Sequence, residues 1–74
     1  MSKKGELKKR IKESETEIEN LEKRRGRSQS ALLQAVVEGV KPDPTDVEYF
    51  KTFTKLIELE RENLHKLKIE LEKL

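Results

Sequence analysis

The chain has no cysteine and no tryptophan, and only one histidine, three glycines and two prolines in 74 residues. Without cysteine there is neither a disulfide framework nor a thiolate metal site, and His65 alone cannot build a zinc site, so no metal and no cofactor is expected. No apolar run approaches the roughly 18 to 20 residues that span a bilayer, and the N-terminus lacks the apolar core of a secretory signal. A soluble, cytoplasmic protein is the expectation. The basic stretches "KKGELKKRIK" and "KRRGR" have no interleaved aromatic residue for base stacking. Glu6, Glu13, Glu19 and Glu22 dilute them, and no helix-turn-helix pattern accompanies them, so nucleic acid is the disfavoured partner class. Catalytic motifs are absent too. Glu58, Glu62 and His65 lie within helical reach of one another, but on a charge-rich helix that grouping is ordinary, and a slender rod offers no water-excluded pocket. A non-enzymatic role is expected.

What is present is charge of both signs and a helical repeat. Charged residues are 43% of the chain, 17 basic against 15 acidic, so the net charge is only +2. Alanine, glutamate, lysine, leucine and arginine make up 42 of the 74 residues, the composition of a coiled coil or long helix when the period agrees. The period does agree. Phe50, Phe53, Ile57, Glu60, Leu64, Leu67, Leu71 and Leu74 recur at alternating spacings of three and four, with Glu60 the one charged interruption. Upstream, Leu7, Ile11, Ser14, Ile18, Leu21, Arg25, Ser28, Leu32 and Ala35 repeat in the same way, interrupted by two serines and Arg25.

Between the two repeats, "EGVKPDPTD" stops one helix and starts another. Gly39 can take the left-handed conformation that ends a helix, and the two prolines prevent its resumption. Thr45 and Glu48 have the spacing of a capping box. The sequence therefore predicts an all-α fold: a single antiparallel two-helix coiled-coil hairpin, with a helix over about 6–38, a turn at 39–45 and a helix over about 46–74. Gly26 leaves open a bend or break in the first helix.

Doubling back at the prolines brings the two stripes face to face. A register in which facing residue numbers sum to 85 sets Arg25 against Glu60, so the charged interruptions meet as a seam ion pair. A shift of seven also pairs seam with seam, but leaves each of those charges opposite an apolar or hydroxyl partner, at a desolvation cost of several kcal/mol. The sequence-based expectation is thus an Arg25–Glu60 pair.

A lone helix pair buries little, and 74 residues supply a marginal core. Apolar residues off the seam, Leu33, Val36, Val37, Val40, Val47, Tyr49 and Leu56, gather near the turn, whereas the open end carries mostly lysine and glutamate. They are the candidate partner-binding residues. The expected partner is protein: a second copy, forming a four-helix bundle, or a larger helical partner.

The layout of a charged first helix, the "VVEGVKPDPTDVEYF" turn with a tyrosine soon after it, and a second helix running to the C-terminus resembles the small helical-hairpin co-chaperone of type III secretion needle subunits. The resemblance implies a chaperone-like hairpin that binds a helical-repeat partner and helps keep an aggregation-prone needle protein monomeric.

Overall fold

The computed structural model describes residues 2–74. It contains two helices, α1 (Lys3–Glu38) and α2 (Pro44–Glu72), packed antiparallel into a rod of 55 × 16 × 14 Å. The fold is an all-α helical hairpin. No helix among the described residues is long and apolar enough to cross a membrane.

Local chemistry sets each helix end. Ser2 caps α1, its hydroxyl accepting from the Gly5 N–H at 3.1 Å, with Glu6 as an acidic residue in the first turn. This cap starts α1 three residues before the expected position. At the other end Gly39 has φ 69°, and the Val40 N–H donates to the Ala35 carbonyl at 3.0 Å while the Gly39 N–H donates to that of Val36 at 3.1 Å. This is the Schellman arrangement, which reverses the chain immediately beside the last turn of the helix. α2 begins at Pro44, earlier than the capping box implies. Asp43 is the cap, its carboxylate accepting from the Thr45 N–H at 2.9 Å, and Pro44 fits the first helical position because its N–H would have no partner there. Thr45 spends its N–H on Asp43 and is no cap itself. α1 runs unbroken through Gly26, where an added Cβ would meet nothing within 4 Å.

The hydrophobic layer is thin. Leu7, Ile18, Leu21, Ala35, Ile57 and Leu67 are buried, with Ile57 almost fully enclosed, and Ser14 and Ser28 are buried between them. Every one of these residues lies on the predicted stripes.

The register differs from the expectation. Two polar contacts cross between the helices: Ser14 Oγ donates to Glu60 Oε1 at 2.8 Å, and Arg61 meets Glu22 at 3.2 Å. These pairs straddle a register in which facing residue numbers sum to about 78, given the reach of glutamate and arginine along a helix rising 1.5 Å per residue. Three open grooves agree with it: Leu7 and Arg10 share one with Glu70, Arg10 and Glu17 another with Leu67 and Asn63, and Arg24 a third with Phe53. Compared with the Arg25–Glu60 arrangement, α2 has slid by one heptad.

The Arg25–Glu60 ion pair is therefore corrected. Among the described residues the ion pairs are Glu22–Arg61 and the local Lys55–Glu58. Half-buried Glu60 takes the Ser14 hydroxyl and, at 3.3 Å, the side-chain amide of Asn63, while half-buried Arg25 stands level with Phe53. The reason lies in the turn. A sum of 85 needs a loop that projects beyond the end of α1, whereas the Schellman bond from Val40 to Ala35 folds the chain back at Gly39 and starts α2 alongside the last turn. Closing the turn this way still sets Leu7 through Ser28 against the α2 stripe from Leu71 to Phe50, and serine supplies the hydrogen bond that an arginine was expected to supply.

Candidate protein-interaction surface

With one seam between two helices, the hairpin presents two broad faces, each made from one flank of α1 and one flank of α2. The Glu22–Arg61 pair marks the first. Steps of three, four and seven residues from these positions place Leu33, Val36 and Val40 on that flank of α1 and Val47 on that flank of α2. Val37 projects from the outer edge of α1. This valine face is open to solvent: Leu33 is 58% exposed, Val36 74% and Val37 81%, and Val40 is also exposed, while Val47 is half-buried.

The second face is marked by a groove of about 450 Å³ lined by Arg24, Arg27, Tyr49 and Phe53. Tyr49 lies against Phe53 one turn on, with ring centroids 6.1 Å apart and the planes tilted by 33°. Tyr49 as a whole is 53% exposed. Leu56, seven residues on from Tyr49, continues this tyrosine face, and Leu59 follows at its outer margin, both exposed.

The seven residues picked out from sequence thus divide. Leu33, Val36, Val37, Val40 and Val47 belong to the valine face and its edge, Tyr49 and Leu56 to the opposite face. In the sequence they form one turn-proximal cluster because distance from the turn is visible in the chain, while the flank each residue occupies depends on its phase within the heptad. Leu59 was missed, although its spacing of three from Leu56 carries the signal. Ile69, exposed on the outer edge of α2, was missed as well.

No group of three or more histidine, cysteine, aspartate or glutamate side chains among the described residues is placed to hold a metal ion. The grooves are shallow and open along the seam. Set against family profiles, curated proteins and solved structures, the chain matches none.

Proposed function

We propose that this hairpin is a non-enzymatic interaction or assembly module that works by covering its turn-proximal apolar surface with another protein. One observation carries the reading: Leu33, Val36, Val37 and Val40, four large aliphatic side chains in the last two turns of α1 and just beyond it, stand in solvent although the same chain buries its seam aliphatics. A contiguous patch of this kind on a small rod is the signature of a contact surface, and an amphipathic helix is the element that best covers it.

The test is affinity purification of the tagged hairpin from its native host, beside a Leu33→Glu/Val36→Glu variant and a Lys12→Glu control. Protein recovered stoichiometrically with wild type and control but not with the patch variant is the expected result. Equal recovery with all three would contradict the reading.

A co-chaperone-like role in a secretion system is the second reading. Tyr49 favours it, because an exposed aromatic ring just past the turn, braced by Phe53, suits an anchor for a helical-repeat partner. In that case Tyr49→Ala would release the partner while leaving the hairpin's helicity unchanged.

A further inference from the structure

The tyrosine face carries a charge pattern that the valine patch does not explain. Leu56 and Leu59 sit near the middle of the rod, level with residues 22 and 19 of α1 in the observed register. Toward the turn the same face presents Arg24 and Arg27, and toward the open end Glu17 and Glu13. The two charge pairs lie about 8 Å on either side of the leucines, at 1.5 Å per residue. The match continues outward. Tyr49 lies as far on one side as Lys66 on the other, and Glu38 near the turn mirrors Lys3 at the open end. None of these charges forms an ion pair within the chain, since the bridges among the described residues, Glu22–Arg61 and Lys55–Glu58, lie off this face.

We infer that the tyrosine face binds a second copy of this chain, antiparallel, about a two-fold axis passing between Leu56 and Leu59. This rests on the interaction-module reading and adds to it a second contact face with a named occupant. The rotation sets Leu56 against Leu59 of the second copy and puts Arg24 and Arg27 opposite its Glu13 and Glu17. Tyr49 meets the cation Lys66 of that copy, a favourable ring-face contact. A parallel stack would set α1 of each copy against α2 of the other, where Arg24 and Arg27 face Thr52 and Tyr49 and no carboxylate. The product is a four-helix bundle with the two hairpins side by side.

Surface area points the same way. The hairpin exposes 5878 Å², whereas a compact monomer of its mass exposes about 4,700 Å². The difference, about 1,200 Å², comes from the rod's elongated shape and exceeds the roughly 800 Å² per copy that a stable dimer buries. One broad face of a rod 55 Å long and 16 Å wide is large enough to supply it.

Sedimentation equilibrium at micromolar protein and low salt tests this with the wild type, Arg24→Glu/Arg27→Glu, Glu13→Arg/Glu17→Arg, and an equimolar mixture of the two variants. Circular dichroism monitors helicity throughout. The wild type is expected to be a dimer. Each variant should self-associate about tenfold or more weakly, and the mixture should recover a one-to-one dimer. Leu56→Lys, at the axis, should also give a monomer without altering any of the charged residues. A monomeric wild type would overturn the inference, as would a mixture that fails to recover dimers. If the dimer survived all of these changes and dissociated on Leu33→Lys/Val36→Lys, the copies would meet through the valine face, which contradicts this inference and leaves the interaction module intact.

Discussion

The half of the rod near the turn and the half near the open end divide the chain's apolar residues in opposite ways. The turn half is richer in them, with both phenylalanines, the tyrosine and all four valines, yet Phe50 and Phe53 are only half-buried and Leu33, Val36, Val37 and Val40 stand in water. The rest of the rod, from mid-length to the open end, is dominated by lysine and glutamate, yet it holds Leu7, Ile18, Leu21, Ile57 and Leu67, every buried apolar residue except Ala35. Apolar content therefore does not measure where the fold is held. The well-packed stretch closes the hairpin, and the turn half keeps its apolar side chains outside, where a second protein can reach them.

Substitutions can break that contrast. The largest effect is expected at Ile57→Ala and Leu67→Ala, each removing a side chain enclosed in the thin seam at a cost of about 3 kcal/mol. Leu33→Ala and Val36→Ala, by the same chemistry at exposed sites, should change hairpin stability by less than about 0.5 kcal/mol. Urea denaturation of the four variants, at concentrations where the hairpin is monomeric, checks the pair of expectations. Equal losses in both sets would erase the distinction between the halves.

Gly39→Val comes next. At φ 69° a β-branched side chain is strained, and loss of about 1 to 2 kcal/mol is expected, read as a lower urea midpoint. Smaller again is Ser14→Ala, which takes the buried hydroxyl from Glu60 and should cost about 1 kcal/mol. Arg25→Ala should cost clearly less than Ser14→Ala, the reverse of what a seam ion pair would require. Gly26→Ala has the opposite sign: space around the added methyl is free, and better helix propensity should stabilise α1 by about 0.5 to 1 kcal/mol.

Much of the fold was legible before any coordinates. The two stripes, the left-handed Gly39 and the stop at "KPDP" follow from spacing and backbone chemistry, and the buried residues fall on the stripes named from sequence. The register was not legible, for a physical reason. A heptad seam is unchanged by a slide of seven residues, so periodicity cannot choose between alternatives, and the remaining choice rested on pairing Arg25 with Glu60. That choice overlooked Ser14, a small donor within reach of a carboxylate, and the tight reversal at Gly39. The start of α2 was displaced for a related reason: Thr45 and Glu48 have the spacing of a cap, but Asp43 followed by Pro44 satisfies the same helix end two residues earlier. Exposure of the turn-proximal residues could be anticipated from composition, while their division between two faces depends on the phase of each residue around its helix.

The reversal at Gly39 sets the register and thereby decides which side chains share a face. Because the chain has no cysteine of its own, pairs introduced two at a time report that register directly through disulfide formation, which requires Cα atoms within about 7 Å. Mild oxidation of dilute protein should close an intramolecular bridge in Arg25→Cys/Phe53→Cys and none in Arg25→Cys/Glu60→Cys, whose positions lie about 10 Å apart along the rod. A rapid bridge between positions 25 and 60, with none between 25 and 53, would contradict it.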